Sequence, residues 1–166
     1  MGKKKNKPET INIDDTLVKL VRSAIRVALR YEMKTNGRKL GITGEVGEIL
    51  VCYHLRKTLG LKLVSDPLSA GFDAIDRNSR HVQIKTRRIK TRRSESQELP
   101  IDGVSTGIFS EHKFAYALLG LLDHNYKLCQ VWRSEYGKLN PIIKKRERRN
   151  PSLKSFEDVG KLIYSN

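Results

Sequence analysis

The chain has 166 residues, 38% hydrophobic and 31% charged, enough for one domain with a real core under a charge-heavy surface. Thirty-three Lys and Arg against eighteen acids give a net charge of +15, the electrostatic footprint of a polyanion binder. No apolar run approaches the ~18 residues a bilayer span needs, and the N-terminus lacks the apolar stretch of a secretory signal. A membrane partner is therefore not expected, and an intracellular, cytoplasmic protein is.

The basic residues fall mainly on expected strands and loops and not on one amphipathic helix, which favours nucleic acid over a membrane surface. Cys52 and Cys129 sit in apolar neighbourhoods and read as free thiols. His54, His81, His112 and His124 have no ligand spacing, so zinc is not expected.

Residues 1–12 form a Lys-rich tail around Pro8, expected to be disordered, and residues 13–166 read as a single domain. From Asp14 or Asp15, Leu17, Leu20, Val21, Ile25, Ala28 and Leu29 recur at helical spacing, and Asn36-Gly37 is a natural stop. A second helix is expected from an N-cap at Thr43 to a terminator at Gly60. On a ~100° wheel Glu45 and Glu48 fall inside its apolar arc, where a carboxylate must be paired, hydrogen-bonded or metal-bound. Gly44 and Gly47 weaken that helix and imply a close backbone approach.

Three short strands follow: 61–65, 72–76 and 81–86. The last two form a hairpin around the turn residues Asp76-Arg77-Asn78-Ser79. Gln83 and Lys85 share one face of their strand, and Val82 and Ile84 share the other. Asp73 lies on the partner strand, while Asp76 falls at the turn and reads as a turn-former. Arg87, Arg88, Lys90, Arg92 and Arg93 continue the Gln83–Lys85 strand as a run of cations suited to nucleic-acid phosphates. Residues 114–122 read as a buried strand, 128–132 as its hairpin partner and 141–151 as a basic, turn-rich stretch. The end of the chain reads as a helix capped by Ser155 and Asp158.

Phosphodiester hydrolysis asks for oxygen ligands to a hard cation, for a positive group near the attacking water, and for basic groups along the backbone. Asp73 and Glu48 supply carboxylates, Gln83 an amide oxygen and Lys85 the ammonium. Glu48 on a helix, then Asp73 on one strand and Gln83-Ile84-Lys85 on the next, resembles the PD-(D/E)XK nuclease superfamily, in its Gln-x-Lys branch of Mrr-like restriction endonucleases. Gly44-x-x-Gly47-Glu48 is similar to the opening helix of archaeal Holliday-junction resolvases.

The resemblance implies an α/β (α+β) restriction-endonuclease-like core, a mixed central sheet flanked by helices in the order α-β-β-β-α-β. It implies Mg²⁺ or Mn²⁺ held by Asp73, Glu48, Gln83 and the Ile84 carbonyl, with Lys85 as the catalytic lysine. The chain departs from the pattern in three ways. Phe72 stands where the family's Pro would be, Gln83 replaces the commoner acid, and no helix is evident after Arg93. The implied function is a DNA endonuclease of restriction or repair type, found with DNA in the cell and dimeric if it cuts both strands. The alternative is a non-catalytic nucleic-acid-binding module on the same fold.

Overall fold

The computed structural model describes residues 8–89 and 105–166; Lys90, Arg92 and Arg93 lie outside them. The fold is mixed α/β, built on a seven-stranded mixed sheet whose strands lie side by side in chain order.

Strand β1 (Thr10–Ile11) pairs antiparallel with β2 (Lys62–Val64), so ordered backbone reaches into the stretch whose composition reads as tail. Helix α1 (Asp15–Lys34) starts as expected, with Asp14 Oδ1 accepting from Leu17 N–H at 2.8 Å. It stops at Asn36 and Gly37, both at positive φ. Of its anticipated core stripe, Leu20 turns outward and is 65% exposed.

Helix α2 (Thr43–Leu55) is shorter than expected. Its N-cap is Ile42, with no side-chain cap, and the Thr43 carbonyl instead accepts from the Thr86 hydroxyl at 3.1 Å. Only a few looser turns separate Leu55 from Gly60. A one-turn helix, α3 (Pro67–Ala70), precedes the hairpin of β3 (Ala74–Ile75) and β4 (His81–Arg88).

Strand β4 pairs antiparallel with β3 and parallel with β5 (Tyr116–Leu122) from Val82–Tyr116 through Arg88–Leu122. A parallel pair needs a long crossover, and the described part of this one, 105–115, is not helical. Strand β5 is buried along its whole length, as its unbroken apolar run implies. It turns at Asp123, whose Oδ1 accepts from the backbone of Asn125 and Lys127, into β6 (Leu128–Glu135).

The C-terminal quarter departs most from expectation. Residues 141–151 do not form turns alone, because helix α4 (Tyr136–Lys144) runs into them and buries Leu139 and Ile143. The last helix is α5 (Leu153–Val159), capped by Ser152 and not by Ser155. At Gly160 the chain becomes extended and forms β7 (Lys161–Ser165) along β6. The open β6 edge offered unpaired N–H and C=O groups, and pairing them outweighs continuing a short helix.

Two apolar layers clothe the sheet. One joins α1 and α2 to Val82, Ile84, Leu118 and Val131. The other joins α4, α5, Phe109 and Phe114 to Ala117, Leu119 and Leu121. Cys52 and Cys129 are free thiols. Among the described residues no helix is long and apolar enough to cross a membrane.

Candidate functional site

Helix α2 is pressed onto the sheet at Gly47, where an added Cβ would lie 2.3–2.4 Å from the Thr86 side chain. Gly120 on β5 makes the same allowance for Val51, at 2.7 Å. Gly44, by contrast, faces open space, so only Gly47 carries the expected close approach. The contact fixes the next residue, Glu48, over β4 half-buried, while Glu45 is exposed and does not sit inside the packed arc.

Strand β4 presents its two faces as the alternation requires. Val82 and Ile84 enter the α2-side layer. Gln83 and Lys85 pair in register with Ala117 and Leu119 of the opposite layer. The β3 ladder ends at Ala74–Val82, extended only by Asp73 N–H to Val82 O at 3.0 Å. Past that point the β3-side edge of β4 has no strand among the described residues.

Asp73 fills the start of that edge, its Oδ2 accepting from the Ile84 N–H at 2.6 Å. Ile89 N–H points to β5, donating to Leu122 O, so residues of opposite parity turn their backbone groups the other way. The Ile84 carbonyl therefore lies on the same open edge as its N–H and Asp73.

The electrostatics tie Glu48, Asp73 and Lys85 together. Burial pushes the Glu48 carboxyl up to about 8, helped by the charges of Asp73 and Glu45 and opposed by Lys85. Asp73 is also raised, first by burial, against the Ile84 N–H bond, the Lys85 ammonium and a hydrogen bond from the Gln83 side chain. Two reluctant carboxylates beside one ammonium form a poorly hydrated edge with spare affinity for positive charge.

Gln83 is 4% exposed and engaged at its amide oxygen. Its Oε1 accepts from the Ser110 N–H at 3.0 Å, and its side chain lies close enough to Asp73 to favour that residue's charged form. In this arrangement it holds Asp73 in place. Lys85 lies over the Phe109 ring, with Nζ 5.8 Å from the centroid.

The two described cations of the basic run are drawn into the fold. Arg87 donates to Ser105 O at 2.7 Å and Thr86 O at 2.9 Å, and burial lowers its pKa. Arg88 pairs with Glu32 at 3.0 Å and stacks over Tyr126 at 4.1 Å. Asp76 is the anticipated turn-former, binding the backbone N–H groups of Asn78 and Arg80 at 2.9 and 3.0 Å.

Sequence reasoning missed the strap formed by residues 105–110, which lies across the Gln83–Arg87 face of β4, and Arg149, which anchors it. Each of those links has a backbone group at one end, which any residue type supplies, and Gly107 and Arg149 both take positive φ.

The donors at the edge are oxygens: two carboxylates, an amide and a backbone carbonyl. Among the described residues no three His, Cys, Asp or Glu side chains are grouped to hold a metal ion. No family model and no curated protein sequence matches this chain.

Proposed function

We propose that the protein is a metal-dependent DNA endonuclease with a restriction-endonuclease-like core, hydrolysing phosphodiester bonds at the open edge of β4. One observation carries this: Asp73, just before β3, accepts from the Ile84 N–H at 2.6 Å on the open edge of β4, within electrostatic reach of Glu48 from α2 and Lys85 from β4. The donor set suits Mg²⁺ or Mn²⁺, since such ions are commonly bound through one or two carboxylates while keeping several waters. Glu48, Asp73 and the Ile84 carbonyl are the groups that would hold the ion. A metal bound there supplies a polarised phosphate and a more acidic water.

The chain's own part is positional and electrostatic. Ser110 fixes Gln83, Gln83 and the Ile84 N–H fix Asp73, and the Gly47–Thr86 contact fixes Glu48. Lys85 brings positive charge to where it builds up on the phosphate oxygens or on the attacking water.

The test is nicking of supercoiled plasmid with Mg²⁺ or Mn²⁺. Lys85→Ala should lower the rate by roughly 100-fold or more; a variant that cuts as fast as wild type removes the assignment. Cutting both strands calls for a second copy of the chain, which sedimentation with duplex DNA would detect.

The engaged oxygen of Gln83 favours a second reading, a DNA-binding module without catalysis. It expects salt-sensitive binding indifferent to metal. Mn²⁺-dependent tightening that Asp73→Ala abolishes would exclude it.

A further inference from the structure

We propose that the exposed basic turn closing α4, made of Lys144, Lys145, Arg146 and Arg148, holds the phosphate backbone of duplex DNA alongside the β4 edge. The assignment rests on the DNA reading above and adds a surface to it.

Arg87 and Arg88 are engaged by the fold, so among the described residues phosphate contacts fall to other cations. Within five consecutive positions this turn displays four exposed cations and one acid, Glu147. No ion pair among the described residues engages those four. Unpaired, solvated cations are the groups whose contact with phosphate releases condensed counterions from the duplex.

The turn is also tied to the site. Arg149 follows it in left-handed backbone, at φ 52, and points inward. Its guanidinium donates to Ser110 O at 2.8 Å and Phe109 O at 3.3 Å, while Phe109 N–H donates back to Arg149 O at 3.0 Å. Thr106 N–H donates to Pro151 O at 2.9 Å, and Ser105 bridges Ser152. The strap so fastened is the one whose Ser110 holds Gln83 and whose Phe109 lies under Lys85. The basic turn is thus linked to the β4 face through the strap. The exposed cations of α1 belong to the layer on the other side of the sheet.

Exposed Lys and Arg without a fixed partner suit backbone contact, which sets position and carries little sequence information. The test measures binding of a fluorescent duplex by anisotropy in EDTA across a salt series. For Lys144→Ala/Lys145→Ala/Arg146→Ala/Arg148→Ala the slope of log K against log salt should fall by about 2–4, with affinity down at least about 10-fold near 0.15 M salt. The milder pair Arg146→Gln/Arg148→Gln should lower the slope by about 1–2 and serves if the fourfold variant folds poorly. The comparison set is Lys19→Ala/Arg22→Ala/Arg26→Ala on α1, expected to change the slope much less.

Unchanged binding by the turn variants overturns the proposal, as does an equal loss from the α1 set, which would report bulk charge alone. Wild type that prefers single-stranded RNA to duplex DNA also overturns it. Wild type that nicks plasmid while the turn variants bind normally sinks this surface and leaves the nuclease standing. Wild type that binds DNA through the turn but never cuts does the reverse.

Discussion

Asp76 shows how a carboxylate on this hairpin is used when it serves the fold. Besides the two turn N–H groups, its Oδ2 accepts from Arg80 Nε at 2.8 Å and from the Tyr116 hydroxyl at 3.2 Å. Burial alone would raise its pKa, but the bonds from Arg80 and Asn78 bring it below the usual carboxylate range. A lowered folded pKa gives stability that is present above the unfolded value and lost as pH falls through the folded one. Asp76→Ala should therefore cost about 2–4 kcal/mol at pH 7, with the gap to wild type narrowing in acid when urea unfolding is compared across pH.

Glu48 runs the other way. Its folded pKa lies above its unfolded one, so the metal-free protein should lose stability as pH rises from the ordinary carboxylate range through about 8. Glu48→Gln should melt with wild type near pH 4 and above it near pH 9, by on the order of 1–2 kcal/mol for a half-exposed group. Parallel melting curves in EDTA would show that the carboxylate is not strained. Gln83→Glu tests its neighbour. A third carboxylate beside Asp73 should lower stability without metal and enlarge the thermal shift given by Mn²⁺; a destabilised protein with no larger shift would remove the metal from this edge.

At the scale of elements, α2 is the piece that makes the site. Alanine at position 47 would gain about 1 kcal/mol in helix propensity. It would also drive a methyl into a buried, hydrogen-bonded Thr86. Overpacking of that kind costs about 1–3 kcal/mol, so Gly47→Ala should lower the melting temperature. A stabilised variant would mean that α2 can lift from the sheet. The spacing Gly-Glu made this contact legible, because glycine in a helix needs a reason. So were α1 and the β3–β4 hairpin, from a long apolar period and a dense turn signal. Strand β1 is too short to show alternation. Helix α4 buries only Leu139 and Ile143 and carries Pro141. The consecutive Leu162-Ile163-Tyr164 of β7 fits helix and strand alike. Glu45 was misplaced for a related reason: the arc on an ideal wheel ignores which turn of the helix actually reaches the sheet.

Across the whole molecule the Asp73, Gln83 and Lys85 grouping could be anticipated from the two-residue repeat of a strand, and Glu48 from a carboxylate on an apolar arc. What could not be anticipated is that Arg87 and Arg88 hold the structure together while, among the described residues, a run of exposed cations outside any ion pair, Lys144, Lys145, Arg146 and Arg148, sits near the far end of the chain. Metal binding should appear as a property of the entire fold: a ligand at 100 times its dissociation constant adds about 2.7 kcal/mol. Mn²⁺ should accordingly raise the melting temperature of wild type and leave Asp73→Ala unmoved.

The strands lie in space in their order along the chain, and every neighbouring pair is antiparallel except β4 with β5. That one seam has a kinetic meaning. Joining β4 to β5 means closing the crossover between Arg88 and Tyr116, which is shorter than the Ile11–Lys62 connection of β1 to β2 but has to bring two strands together in parallel. Glu48, Asp73 and Lys85 precede the seam along the chain, the strap of residues 105–110 lies in the crossover, and the basic turn follows β6. The Ser110–Gln83 bond and the tie of Arg149 to the strap form only when that crossover closes, so the proposed site and its proposed grip on DNA are joined into one surface at that step.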